Sequence, residues 1–575
     1  MKGERLKMKI GKKLAAWLLA IIMVLAMGMT SFAGEGKPEA TDTADVTITD
    51  ITGNPKITLY QIAEAVYGPS GKELVEYNWA ADVTILNKEK PTADEINKIA
   101  QQLTGAAEPA IEPLGTITKG TLSNGTYTAT VGAGVYIAIL TGAADGSVYN
   151  PVLLSATYGG KGNLEVDNPK KVSANDAYLF GTTAVAKKTE PGVDKEITDG
   201  TAEDEEKETA GLGDVVSYKV TMTMPSYPAN ALNKTLFLTD TMSDGLTFLY
   251  DSLTVSIDGQ TVTKEGDNFK LGDKTIATAH ETGNGFNLNF DYDKLVSEPT
   301  TGAVYTPVVT YKGVVNKKAI VGETGNDNDV TFYYANEPNT GKTWTKTEDE
   351  PDEATGVTSK EDSTTVYTYQ IAFRKADANE KTQYLSGAVF GIYKDKDCTR
   401  LIDQVTTNES GYAVSTKVSA GTYYLKELVA PTGYALNTIV YPVKASWTTA
   451  TTTTNGSVTE RSYTTENPGN APQVGWIKEG TFYELSEINE DGAEAGGYQP
   501  AYLSSKDTTT NSVTTVTVNE EGGGTVSLNV DIPNTKMIAL PSTGGIGTTI
   551  FTIGGCVIMI AAAGLFFAHR RKTEK

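Results

Sequence analysis

Three side chains that could react with one another sit on the apolar faces of alternating segments in the last third of the sequence. Tyr367, Tyr369, Ile371 and Phe373 share one parity, and Lys375 is next on it. Tyr423, Leu425, Glu427 and Val429 place a carboxylate in the same way, and Val526, Leu528, Val530 and Ile532 lead inward to Asn534. A period of two reads as strands with one buried face, so a lysine, a glutamate and an asparagine are aimed at one β core. Burying an isolated charge costs on the order of several kcal/mol, so such groups must pair, neutralise or react. Desolvation lowers a lysine pKa and raises that of a carboxyl. A neutral amine can then attack the Asn side-chain carbonyl while a protonated acid hydrogen-bonds that oxygen and carries the proton; ammonia leaves and an isopeptide bond remains. A Lys–Glu ion pair beside a hydrogen-bonded Asn fits the same parity.

A second set lies upstream. Val193, Lys195 and Ile197 share a face, and Leu236, Leu238 and Met242 share theirs with Asp240. Val216, Tyr218, Val220, Met222 and Met224 alternate between them. The acidic run 203–206 reads as a solvated loop. Gly325-Asn-Asp-Asn-Asp329 reads as a turn between strands rather than a calcium site, and neither a metal nor a cofactor is expected.

The two ends of the chain say where this chemistry happens. Near the C-terminus, Leu540-Pro541-Ser542-Thr543-Gly544 precedes an apolar run from Ile546 to Ala568 and the basic tail His569 to Lys572. That order is an extended recognition peptide, a segment long enough to cross a bilayer, and positive charge that stays in the cytoplasm. At the N-terminus six basic residues precede an apolar core from Leu14 to Met27, and Ser31-Phe32-Ala33 supplies a signal-peptidase site with cleavage after Ala33. The region between is expected outside the cell.

Composition narrows what that exported region can be. The signal segment holds six basic and one acidic residue and the tail four and one, so the formal charge of −22 becomes about −30 without them. Nucleic-acid binding is excluded on that balance. Cys398 and Cys556 are the two cysteines, the second inside the apolar run, so no disulfide can brace the exported region. His280 and His569 are the two histidines, so the exported region has a single imidazole, which removes most of the weight of an enzyme reading.

Roughly 510 exported residues suggest about three domains. Thr92 and Glu95 form a capping box for a helix whose face is Ile96, Ile99, Ala100 and Leu103, with Gly105 past its end. Ile57 to Tyr67 reads as a strand or short helix, and strands are expected over 127–131, 134–140 and 149–154. The expected order is a signal peptide (1–33), an N-terminal domain (34–185), a middle domain (186–345), a linker (346–365), a C-terminal domain (366–537) and the terminal signal (540–575). The fold class is mainly β, as tandem immunoglobulin-like sandwiches with one added helix in the first.

Several of these motifs carry a resemblance. Leu540 to Gly544 fits the L-P-x-T-G sorting signal of Gram-positive surface proteins, which implies cleavage by a sortase between Thr543 and Gly544. Phe373-Arg-Lys375-Ala-Asp377, Tyr424-Leu-Lys-Glu427-Leu-Val-Ala-Pro-Thr-Gly-Tyr434 and Ile532-Pro-Asn534-Thr-Lys536 resemble the B-type domain of collagen-binding adhesins and pilins. That resemblance implies Lys375 as amine, Asn534 as acceptor and Glu427 as catalytic acid, although 445–515 is longer than the family usually needs. Val-Asp-Lys195-Glu-Ile and Leu-Thr-Asp240-Thr-Met resemble the isopeptide-forming middle domain of fimbrial backbone subunits. Asn316 is the acceptor that best matches there, with Asn336 as fallback.

The whole arrangement resembles a backbone pilin of a sortase-assembled pilus, a structural rather than enzymatic protein of the Gram-positive cell wall. Such subunits carry a linking lysine at the end of the first domain. Lys187 and Lys188 stand at that place without the usual Tyr-Pro-Lys, and Asn168-Pro169-Lys170 is a rival. With Val185 taken as inward, Lys188 points outward and is chosen. The implied partners are sortase, further copies of the chain in a head-to-tail polymer, ancillary pilins, peptidoglycan, the membrane during transient insertion, and a host ligand. An ancillary or solitary wall-anchored adhesin is the alternative function, and a wall-anchored hydrolase the weaker one.

Overall fold

A computed structural model of the chain describes residues 43–67, 74–85, 91–117, 119–156, 183–200, 205–298, 303–339, 344, 351, 356–445, 460–467, 473–485, 487–488, 493, 495–506, 524–528 and 530–537. The expected signal peptide with Ala33 and the terminal signal with Leu540, Pro541, Ser542, Thr543 and Gly544 lie outside these residues, as does Lys170. The chain divides into two compact units, one up to Tyr367 and one from Thr368 that also takes in 321–323.

The first unit holds two sandwiches. In the earlier one, Thr43–Thr49 pairs antiparallel with Thr126–Gly132 and parallel with Thr183–Val185, while Lys56–Tyr67 pairs with Gly134–Thr141, which pairs with Val152–Ala156. Val46, Ile48, Leu59, Tyr136 and Leu154 fill the space between the sheets. The outer face of Lys56–Tyr67 is covered by the helix Ala93–Leu103, where Ile99 and Ala100 are buried against Ile62 and Ile137. Its capping box is formed: the Thr92 hydroxyl oxygen accepts from the Glu95 N–H at 3.2 Å, and the Glu95 carboxylate accepts from the Thr92 N–H at 2.8 Å. The polar side of the helix meets the next sandwich. Asn97 donates to Asn230 Oδ1 at 2.9 Å, Gln101 donates to the Asn230 carbonyl at 2.7 Å, and Asp94 accepts from the Ala229 N–H at 3.0 Å.

In the middle sandwich the strands Gly192–Ile197, Val215–Thr223, Pro307–Val315 and Leu246–Ile257 form one sheet in that spatial order. The facing sheet runs Lys207–Thr209, Val357–Tyr367, Asn326–Ala335, Leu236–Met242, Gly285–Phe290 and onward through 274–282 to two short edge strands. Two expectations fail here. The segment 346–365, read as a linker, contributes the strand Val357–Tyr367, because its Val, Thr and Ser run pairs with Asn326–Ala335 along its whole length. The cluster Gly325 to Asp329, read as a turn, is largely the start of that partner strand, with Asp327 and Asp329 accepting from Thr365 and Ser363 hydroxyls.

In the second unit Gln370–Asp377 pairs antiparallel with Tyr412–Val414 and parallel with the last described strands, Thr525–Ser527 and Ile532–Asn534. The opposing sheet is Leu401–Thr406, Val389–Tyr393, Gly421–Val429 and Val440–Ala445. Between the sheets lie Tyr369, Ile371, Phe373, Phe390, Ile392, Tyr423, Leu425 and Ile532. The single inward strand expected from Val526 to Asn534 is broken: Val530 is exposed where the chain leaves the sheet, and the parity resumes only at Ile532. The long stretch 445–515 contains a separate small sheet of four strands, 460–464, 499–506, 475–478 and 481–484.

Removing the Thr92 hydroxyl takes away one side of the capping box, so Thr92→Ala should lower the stability of the first sandwich by about 1 kcal/mol. Urea unfolding followed by hydrogen exchange of the Ala93–Leu103 amides measures it, and an unchanged protection pattern would contradict the cap's contribution.

Candidate functional site

The C-terminal sandwich brings Lys375, Glu427 and Asn534 into one contact. Lys375 follows Ile371 and Phe373 on the inward parity of Gln370–Asp377, which lies parallel to Ile532–Asn534 with Lys375 opposite Ile532 and Asp377 opposite Asn534. Glu427 comes from the facing sheet, where it pairs with Phe390. All three are buried. Lys375 Nζ donates to Asn534 Oδ1 at 2.7 Å and to the Pro533 carbonyl at 3.2 Å, and lies 3.1 Å from Glu427 Oε1. Asn534 Nδ2 donates to both Glu427 oxygens at 3.0 Å, and Glu427 Oε2 also accepts from the Asn437 N–H at 2.6 Å. The Phe390 ring stands 5.3 Å from the amine. Burial pulls the Lys375 amine below its ordinary value, with the Glu427 charge opposing it only in part.

The place of Glu427 differs from the expectation of a hydrogen bond to the carbonyl oxygen of Asn534. It holds the amide nitrogen instead, leaving the oxygen to Lys375. Glu427 Oε1 therefore stands between the nitrogen that must lose a proton in an amide exchange and the nitrogen that must gain one. Gly411 makes this packing possible: a Cβ there would lie 2.5 Å from the Lys375 carbonyl.

In the middle sandwich Lys195 and Asp240 face each other across the two sheets, both buried, with Nζ to Oδ2 at 2.6 Å. The Tyr311 hydroxyl donates to the same Asp240 oxygen and accepts from Asn328 Nδ2 at 3.2 Å. Lys195 Nζ lies 5.7 Å from the ring centres of both Tyr218 and Tyr311, which stack at 5.4 Å. The backbone N–H of Lys195 is held by Asp362 at 2.7 Å. Burial drives the lysine down, toward a neutral amine, and the aspartate up, toward a stronger base, with their mutual attraction opposing both shifts. Asp240 Oδ1 and Asn328 Oδ1 are buried without a hydrogen-bond partner among the described residues, a costly state that a rearrangement among these groups would relieve. Gly285 lets the strands close up here, since a Cβ would meet the Asp240 carbonyl oxygen at 1.9 Å.

The asparagine in this cluster is Asn328, and neither expected acceptor is among its contacts. Asn316 lies in the turn after Pro307–Val315, where its amide nitrogen donates to the Asp244 carbonyl and the Thr247 hydroxyl, each at 2.9 Å. Asn336 follows the end of Asn326–Ala335 and is half-buried, with its N–H on the Gly356 carbonyl. The signal for Asn328 was present: Asn328, Val330, Phe332 and Tyr334 alternate inward, and all are buried. It was hidden because the polar residues around it look like a turn.

At the seam between the first two sandwiches the parity is the reverse of that expected. Val185 is 57% exposed and Ala186 is buried, so Lys187 faces solvent and Lys188 turns toward the first sandwich. Lys188 Nζ donates to the Thr52 hydroxyl at 2.8 Å and pairs with Glu190 at 2.8 Å, leaving its side chain 11% exposed. Although burial pulls this amine down, the Glu190 carboxylate and the Tyr149 and Asp50 charges hold it above its ordinary value.

Four families match successive segments of the chain. They are a T6 antigen Ig-like domain over 41–188, a Gram-positive pilin backbone subunit 2, Cna-B-like domain over 212–338, a prealbumin-like fold domain over 369–459, and an LPXTG cell wall anchor motif over 532–575. The trypsin-resistant surface T6 protein of Streptococcus pyogenes serotype M6 is 45% identical over 561 residues, covering 96% of this chain and 99% of that protein. The solved T6 backbone pilin of serotype M6 Streptococcus pyogenes, described as a modular three-domain structure decorated with variable loops and extensions, superposes with a TM-score of 0.70. It is 43% identical and covers 87% of this chain and 100% of that one. With identity of this depth running through all the domains and into the anchor, the chain belongs to the LPXTG-anchored backbone pilins of Gram-positive bacteria, wall-held structural subunits rather than enzymes.

Proposed function

We propose that this pilus backbone subunit cross-links itself at two internal sites, Lys375 to Asn534 and Lys195 to Asn328, and is joined to its neighbours through Lys188 and Thr543. The observation that carries the internal cross-linking is the Lys375–Glu427–Asn534 contact, in which one carboxylate oxygen touches both the attacking and the departing nitrogen. Neutral Lys375 Nζ attacks Cγ of Asn534, forming the new C–N bond. Glu427 takes the proton that Nζ sheds and delivers it to Nδ2; the Cγ–Nδ2 bond breaks and ammonia leaves. Asp240 serves Lys195 and Asn328 in the same sense, and Asn328 replaces Asn316 as the acceptor.

Cleavage between Thr543 and Gly544 leaves Thr543 as an acyl group on sortase. An amine of peptidoglycan then anchors the subunit, and a lysine of another copy extends the fibre. Lys188 suits that second role because Thr52 and Glu190 fix its ammonium at a domain seam, and the exposed Glu190 carboxylate can accept the proton the amine must lose. The strand Val357–Tyr367 belongs to the middle domain in this scheme, so the C-terminal domain begins at 368 rather than 366, and 34–185 is kept for the first. Ancillary pilins, transient membrane insertion before cleavage and a host ligand complete the proposed partners.

Intact mass of the recombinant exported region should fall short of the sequence mass by one ammonia per bond, two in all. Glu427→Ala should restore one and Asp240→Ala the other, while Asn328→Ala but not Asn316→Ala restores the middle-domain ammonia. An unshifted wild-type mass would sink the scheme.

The Lys375 environment also sets a pH dependence in the uncross-linked Asn534→Ala variant. Its folded lysine releases its proton below the unfolded value of about 10.5, so between those two pKa values the unfolded chain binds more protons and stability rises with pH. The denaturation midpoint of the C-terminal unit should therefore increase as the pH rises toward about 10.5, and the further change Lys375→Met should abolish the slope. A slope that survives Lys375→Met would assign it to other groups.

Polymerisation is read from an immunoblot of wall extracts of the native host. Lys188→Ala should turn the ladder of SDS-resistant multimers into a wall-linked monomer. A monomer in Lys187→Ala alone would move the link to the exposed lysine, and an intact ladder in the double variant would remove this segment from consideration. A single band in the wild type would favour a solitary adhesin.

A further inference from the structure

The two clusters solve the same problem with side chains of different length. In the C-terminal sandwich the carboxylate is a glutamate, and it reaches both the lysine and the Asn534 amide nitrogen directly. In the middle sandwich it is an aspartate, one methylene shorter, and its contacts stop at Lys195 and Tyr311. The Asn328 amide nitrogen is met instead by the Tyr311 hydroxyl. We infer that the Tyr311 hydroxyl is the proton relay of the middle-domain cross-linking, bridging Asp240 to the departing nitrogen of Asn328; this rests on the isopeptide reading above.

Lys195 Nζ adds to Cγ of Asn328, and the proton it sheds goes to Asp240 Oδ2. As the tetrahedral carbon forms, Nδ2 loses its amide conjugation and gains a basic lone pair. The Tyr311 hydroxyl, which accepts from Nδ2 beforehand, then donates to it and is reprotonated from Asp240. The Cγ–Nδ2 bond breaks, ammonia departs with that proton, and Asp240 and Tyr311 end as they began. Only Lys195 and Asn328 are consumed, and no further reactant is needed.

The ring is held for the task. Tyr311 is buried in a cage of aromatic side chains, stacked on Tyr218 and edge-on to Phe248 and Phe286 at 5.8 and 5.1 Å. Its hydroxyl is therefore fixed between Asp240 and Asn328, away from competing water. The Tyr218 hydroxyl, on the ring stacked against it, is buried with no hydrogen-bond partner and takes no part in the chain.

The contrast between these two tyrosines can be measured directly. Wild type, Tyr311→Phe and Tyr218→Phe are expressed as full chains in the native host with a pulse of isotopic label. The wall-released protein is digested, and the peptide joining residues 195 and 328 is quantified by mass spectrometry through the chase. The peptide joining 375 and 534 in the same molecules is the internal standard. Tyr311→Phe keeps the ring in its cage and should slow the 195–328 link by about a hundredfold, the scale of a lost proton-transfer group. The 375–534 link should be unaffected in that variant, and Tyr218→Phe should match the wild type. Wild-type speed in Tyr311→Phe would overturn the relay, and so would equal slowing in Tyr218→Phe, which would trace the effect to packing. A wild type with the 375–534 peptide but no 195–328 peptide would bring down the middle-domain cross-link itself, and the relay with it.

Discussion

A lysine held out of water against a carboxylate is the constraint on which both later sandwiches are built. Lys195 and Lys375 are each buried between two sheets, and each meets an acid that arrives from the opposite sheet. Desolvating such a pair is expensive in any folded protein, and the pair is worth keeping only where geometry compensates or chemistry follows. Here an asparagine stands beside each pair, so an amine, a carboxyl and a side-chain amide lie in one place.

The positions of the three groups along the chain explain what the arrangement does mechanically. Lys375 lies near the start of its sandwich and Asn534 on its last described strand, parallel and adjacent to it. The proposed covalent link there would tie the beginning of the domain to its end. By analogy with disulfides, closing a loop of well over a hundred residues removes on the order of 4 to 5 kcal/mol of unfolded-state entropy, less any strain. The exported region has a single cysteine and so cannot close such loops with disulfides of its own.

Three lysines of one chain thus acquire three characters from their surroundings. Lys375 shares a carboxylate directly with Asn534. Lys195 is connected to Asn328 through Asp240 and Tyr311. Lys188, at a polar seam beside Thr52 and Glu190, is held in its charged form by those partners. The first two sit among aromatic rings, which supply the low-dielectric wall that shifts an amine toward its neutral form.

The sequence by itself determined the elements whose information is local. Alternation placed Lys195, Asp240, Lys375 and Glu427 on buried faces because a strand's side-chain period is set by its backbone. The capping box fixed the start of the helix Ala93–Leu103, and the L-P-x-T-G pentapeptide with its apolar run and basic tail is legible without any fold at all. Which asparagine meets which lysine was decided only in three dimensions. Asn316 and Asn328 are both near a strand end, and the polar run around Asn328 looks like a turn until Val357–Tyr367 pairs beside it and draws it into the sheet. The same holds for Lys188, whose direction depends on Ala186 rather than Val185 entering the core, and for Tyr311, which reads from sequence as one more buried aromatic. Parity tells which face a residue occupies, but the partner on the opposing sheet is set by how two sheets stack, and that information is spread over residues far apart in the chain.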